Sequence, residues 1–150
     1  MCFALYLAAD SPPPLVPWSD SAPAFTVRSL DPVYDAQAKD HLKRRHIVNI
    51  GAHTFCACGF RFVTPNPPSP GAVVEDGKTE EPEVAGDMAA LVDYLQSFAA
   101  KTPVFDLYGV WEEDLGLPTS SVREVAVTEL IPETFALRER EKLTVRAAAA

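Results

Sequence analysis

Cysteine is scarce in this chain: three in 150 residues, an odd number and too few for the bridged framework on which small exported domains rely. Reduced thiols and a cytosolic location are therefore expected. Long apolar runs are missing as well. None approaches the roughly 18 residues that a membrane-spanning helix needs. The apolar opening, Met1 to Ala9, lacks the positively charged start of a secretory signal and runs straight into Asp10. It reads as a strand of the fold, and the protein as soluble with no membrane partner. Positive charge is short: residues 1–70 hold six Lys/Arg against five Asp/Glu, and residues 71–150 hold seven against sixteen, for a net charge of −8. Phosphate binding needs a basic footprint. The chain offers only Lys43-Arg44-Arg45, which suits the C-terminal end of a helix, where cations complement the macrodipole. Nucleic acid is thus excluded as a partner. No internal repeat is visible.

What is present suits one globular domain. A chain of this length buries roughly 70% of its unfolded surface, and hydrophobic content of 47% with 23% charged residues is in the globular range. Cys2 to Ala8 reads as a buried strand, stopped by Ser11-Pro12-Pro13-Pro14 because proline cannot donate to a ladder. Residues 12–23, with five prolines around Trp18, form an extended connection. Phe25 to Leu30 alternates as a strand with one wet face does. Asp31-Pro32 supplies an N-cap and an N1 proline for a helix reaching about Arg44. Ile47 to Ile50 and Phe60 to Val63 are extended. The stretch 64–86, rich in Pro, Gly and Glu, reads as a mobile loop. From Asp87, as cap, to about Ala100, apolar residues recur at helical spacing. Val104 to Trp111 and Val122 to Leu130 are strands flanking an acidic loop with Glu112, Glu113 and Asp114. A helical turn at 131–135, a last strand from Leu143 to Arg146 and a short tail at 147–150 complete the chain. The expectation is a single α+β domain with a mostly antiparallel sheet and two main helices. Trp18, Tyr108 and Trp111 read as core rather than as the lining of a ligand pocket.

The chemistry is concentrated in Gly51-Ala52-His53-Thr54-Phe55-Cys56-Ala57-Cys58-Gly59. Side chains two apart in a strand share a face, so Cys56 and Cys58 would aim both sulfurs at one centre. Gly59 lets the backbone bend there, and His53 can swing in across a turn. Thiolate sulfur and imidazole nitrogen are the preferred ligands of zinc, and a structural zinc takes four. Cys2, on the first strand, is the most economical fourth; His46, His41 or a carboxylate such as Asp114 would also serve. One zinc, or another thiophilic ion, held by Cys2, His53, Cys56 and Cys58 in a mainly structural role is the leading reading.

Two others stand beside it. Cysteine is often a small buried hydrophobe, which would make this a metal-free structural or interaction protein with buried thiols. Alternatively the thiols react: Cys2 as a nucleophile activated by its own α-amine if Met1 is removed, or Cys56 and Cys58 as a redox pair. In that case Cys2 or Cys58 would carry an amidohydrolase-like or redox activity.

The opening Met1-Cys2-Phe3-Ala4-Leu5-Tyr6-Leu7-Ala8, together with Gly51 to Phe60, resembles a family of uncharacterised small bacterial proteins over the first half of the chain. The resemblance implies a bacterial cytosolic protein with a shared Cys/His set, and it carries no catalytic role.

Overall fold

Seven consecutive apolar residues, Phe3–Ala9, form β1, and every one is buried. A strand reads this way only where both faces of its sheet are covered. Phe3, Leu5, Leu7 and Ala9 enter the larger core on one face, while Ala4, Tyr6 and Ala8 enter a smaller core on the other. The computed structural model describes residues 2–19, 25–63 and 82–147. Their strands are β1, β2 (Phe25–Ser29), β3 (His46–Ala52), β4 (Phe62–Val63), β5 (Val104–Trp111), β6 (Ser121–Ala126), β7 (Leu137–Arg138) and β8 (Glu141–Arg146). Six make one sheet in the order β2-β3-β1-β5-β8-β6, antiparallel throughout except for the β6–β8 pair. β4 and β7 form a short parallel ladder of their own. With two helices, α1 (Ala38–His41) and α2 (Pro82–Ala99), this is a mixed α+β fold around a mostly antiparallel sheet.

α2 covers the larger core with Met88, Leu91, Val92, Leu95, Phe98 and Ala99, the helical stripe anticipated above. Its start differs. The helix opens at Pro82, the residue type favoured in a first turn, so 82–86 belong to it rather than to the loop expected over 64–86. Asp87 lies inside the helix and is buried, so it is not a cap. The remainder of that loop, 64–81, lies outside the described residues, as do Met1, residues 20–23 of the proline-rich connection with Ala24 after it, and 148–150 of the tail.

The helix expected from Asp31 to Arg44 is also corrected, to the single turn of α1. Asp31 Oδ1 accepts from the Val33 and Tyr34 N–H groups at 2.7 and 3.0 Å, and Asp35 Oδ2 accepts from the Asp31 N–H at 2.6 Å. These short side chains satisfy the backbone in turns and so compete with helix. Asp35 Oδ1 also accepts from Tyr6 Oη at 2.8 Å, which ties the segment to the smaller core. In the basic triplet, Lys43 Nζ donates to the Lys39 carbonyl, and Arg44 pairs with Asp106 at 2.8 Å and Asp10 at 3.3 Å. The strand expected to run to Leu130 stops at Ala126 and turns through 127–129.

Aromatic packing closes the end of the sheet where β1 begins. Phe3 stacks on Phe62 at 4.2 Å between centroids, and Trp111 stands edge-on to both at 5.5 and 5.4 Å. Tyr108 is fully buried, whereas Trp18 is half-exposed and meets the exposed Phe55 edge-on at 5.4 Å. No helix among the described residues is long and apolar enough to cross a membrane.

Candidate metal centre

β1 and β3 are antiparallel neighbours, so the start of β1 lies beside the end of β3. That topology brings Cys2 to the segment following Ala52, some fifty positions later in the chain. The segment is not the strand expected from the Cys-x-Cys spacing. After Ala52 the chain makes a tight turn in which the Phe55 N–H donates to the Ala52 carbonyl and the Ala52 N–H to the Cys56 carbonyl, both at 2.9 Å. Phe55 pays for the tightness with φ of 72°, a left-handed conformation uncommon for a bulky side chain. Its ring is held from outside by Trp18 and by the Arg28 guanidinium, 5.4 Å above it. Cys56 is extended, and Cys58 sits in a 3-10 turn, Ala57–Gly59. The turn, not strand alternation, aims the two sulfurs together.

Two glycines make the approach feasible. A Cβ on Gly51 would overlap the Phe55 carbonyl and fall 2.9 Å from Thr26 Cγ2; one on Gly59 would fall 2.6 Å from Asp87 Oδ2 and 2.8 Å from His53 Nδ1. Neither position has room for a side chain.

The sulfurs of Cys2, Cys56 and Cys58 lie within 4.8 Å of one another, and all three residues are half-buried. Among the described residues no other trio of His, Cys, Asp and Glu converges in this way. The Phe3 backbone N–H donates to Cys58 Sγ at 3.1 Å, and Cys56 Sγ lies 3.7 Å from Thr54 Oγ1. Three thiols this close share protons. The Cys58 thiol, the Cys58 backbone N–H, the Thr54 hydroxyl and the Cys2 thiol all favour a thiolate on Cys56, which drops to about 5 against the opposing effect of burial. Cys58 is pushed up, first by donating to Cys56 and then by burial, and Cys2 is pushed up for the same two reasons. The trio thus gives up one proton easily and holds the other two.

His53 stands outside the sulfur group. Its Nδ1 contacts Oδ2 of Asp87, a carboxylate with 2% of its side chain exposed. Burial holds the Asp87 carboxyl above its ordinary range, and the His53 contact works in the opposite direction. Neither ring nitrogen of His53 lies within 4.8 Å of all three sulfurs, although the Nδ1 contact itself leaves Nε2 open, since a metal-bound imidazole ordinarily gives its other nitrogen to a carboxylate. The other proposed donors are also elsewhere: His41 bonds Thr119 Oγ1 at 3.0 Å and the Leu115 carbonyl at 2.6 Å and stacks on Tyr108, His46 pairs with Ala9 at the far end of β3, and Asp114 neighbours Glu139.

One charged neighbour escaped the sequence reading. Glu112, directly after β5, donates its N–H to the Cys2 carbonyl at 2.9 Å. Its carboxyl is raised first by desolvation and next by the charge on Cys56. Only the β1–β5 register, which sets Phe3 opposite Trp111, reveals this proximity.

Comparison with protein-family models, with curated proteins and with solved structures finds no match.

Proposed function

We propose that this is a small cytosolic protein in which Cys2, Cys56 and Cys58 bind one thiophilic metal ion, zinc foremost, in a mainly structural role. The observation that carries the reading is the mutual approach of three sulfurs, contributed by two segments far apart in sequence, to within 4.8 Å. Tetrahedral zinc with bonds of about 2.3 Å to sulfur sets sulfurs about 3.8 Å apart, so a modest contraction suffices. A thiolate already favoured on Cys56 lowers the cost of the deprotonation that metal binding requires. The bound ion would clamp the 53–59 turn onto the start of β1.

Protein purified without chelator should carry close to one equivalent of metal by elemental analysis. Its melting temperature should fall on chelation by roughly 5–10 °C, the equivalent of the about 2.7 kcal/mol that an ion at a hundred times its Kd contributes. Cys56→Ser should melt at the same temperature with and without chelator. A wild type free of metal after supplementation, and indifferent to chelator, overturns the reading and leaves the cysteines as packed thiols.

Thiol chemistry is the second reading: three sulfurs in mutual contact favour one thiolate among them, and the contacts from Cys58, Thr54 and Cys2 favour it on Cys56 rather than on Cys2 or Cys58. Titration of metal-free protein, followed by ultraviolet thiolate absorption, should show a single thiolate formed near pH 5 and the remaining two only in the alkaline range. Iodoacetamide at pH 7 should then label Cys56 first. Three thiols ionising together at ordinary alkaline pH would remove this reading.

A further inference from the structure

Three thiolates leave one corner of a tetrahedron open, and a structural zinc site is closed by four protein ligands. The geometry bears on which side chain fills that corner. Trp111, opposite Phe3, keeps extended backbone (φ −64°, ψ 136°), and the ladder runs one position further through the hydrogen bond from the Glu112 N–H to the Cys2 carbonyl. Residues opposed across an antiparallel pair have Cβ atoms about 4.5–5.5 Å apart. A glutamate stem can then carry its carboxylate to the sulfur of the facing cysteine by rotation about its own bonds alone. Glu112 is exposed and opens a 3-10 turn of three residues, Glu112–Asp114, so nothing in the core has to move for it to do so.

His53 and Glu112 both lie outside the three-sulfur group; His53 is held by the Nδ1 contact to buried Asp87, with Gly59 wedged between that pair and Ala52, whereas the Glu112 side chain is exposed.

We propose that Glu112 supplies the fourth ligand, an oxygen donor, making the centre Cys2, Cys56, Cys58 and Glu112. This rests on the three-cysteine metal reading above and replaces His53 in the ligand set. In chelator-treated, metal-free protein the carboxylate stays turned to solvent; on binding it swings in and excludes water from the ion.

Cobalt(II) titration of the full chain tests it, because the ion reports both the number of thiolates, through charge-transfer bands, and the fourth donor, through the position of its d–d bands. Wild type should take up one cobalt in a tetrahedral spectrum with three thiolates. Glu112→Gln should weaken binding at least roughly tenfold, the lower end of what even an outer-shell partner costs, and should move the d–d bands while the thiolate bands persist. His53→Gln should change neither. An unaltered affinity and spectrum in Glu112→Gln overturns the proposal while leaving the three-cysteine centre standing, and loss confined to His53→Gln overturns it in favour of imidazole. A wild type that binds no cobalt removes the metal reading itself and this proposal with it.

Discussion

Phe3→Ala should lower the free energy of unfolding by about 3–5 kcal/mol, the range for truncating a fully buried phenylalanine. Phe3 has no exposed surface, stacks on Phe62 with rings inclined by only 8°, and meets the edge of Trp111. The ring also lies against the backbone of Gly109 on the neighbouring strand, where even a Cβ would come within 2.9 Å of it. Rings held this way cannot collapse readily into the space left by a methyl group, and an unfilled cavity adds to the lost transfer free energy. Against a typical stability of about 5–15 kcal/mol, a loss of this size leaves a weak domain. Urea denaturation is the measurement: the midpoint should drop sharply with the slope unchanged. A loss below about 1 kcal/mol would show that this end of the sheet is not the packed core described here. The hydrogen bond to Cys58 comes from the Phe3 backbone and survives the substitution.

Gly51→Ala should strike the fold and the site together. Its new Cβ would overlap the Phe55 carbonyl, a backbone atom that cannot rotate away, with Thr26 Cγ2 only 2.9 Å off on the other side. Overpacking in a tight region costs about 1–3 kcal/mol and sometimes more. Relief has to come from opening the turn between Ala52 and Cys56, which carries Cys56 away from its two partners. Two readouts should therefore change: the stability falls, and the single thiolate near pH 5 disappears as Cys56 returns toward ordinary thiol behaviour. Gly86→Ala is the matched control. Nothing lies within 4 Å of its Cβ, it sits in α2, and alanine there should stabilise by about 0.5–1 kcal/mol through helix propensity. A Gly51→Ala protein that keeps its early thiolate would disconnect the turn from the sulfur cluster.

Where local pattern decided structure, the sequence was readable. β5 has the bounds expected of Val104 to Trp111, since Pro103 before it and the acidic Glu112 to Asp114 after it punctuate an apolar run. β1 is displaced by one residue, and the face of α2 is the one that its apolar spacing marks. The failures have two causes: partners distant in sequence, and side chains that compete with the helix for nearby backbone groups. Asp87 has the composition of an N-cap, but His53, 34 positions earlier, engages it inside the helix instead. Asp31 and Pro32 make a sound helix start by local rules, yet Asp35 is claimed by Tyr6 and by the Asp31 N–H, and turns result. At the site, Cys2, Cys56 and Cys58 were legible as a set because thiols are so few. The backbone that gathers them was not, since a left-handed Phe55 has no signature in composition. Glu112 was hidden in an acidic run, and only strand register distinguishes it from its neighbours.

The placement of β1 at the centre of the sheet has a kinetic side. It is made before the other strands described, yet Phe3 finds its partner at Trp111 and Ala9 at Phe105, about a hundred residues later, and closing so long a loop before any contact rewards it is the hallmark of slow folders. Until β5 emerges, a seven-residue apolar strand has one flank unpaired, and a bare strand edge is a template for another chain. β3 can pair with it sooner, bringing Cys56 and Cys58 to Cys2 while the second half is still being synthesised. An ion captured by the three sulfurs at that stage would pin β1 beside β3 and keep the nascent half-sheet in register until the strand that completes it arrives.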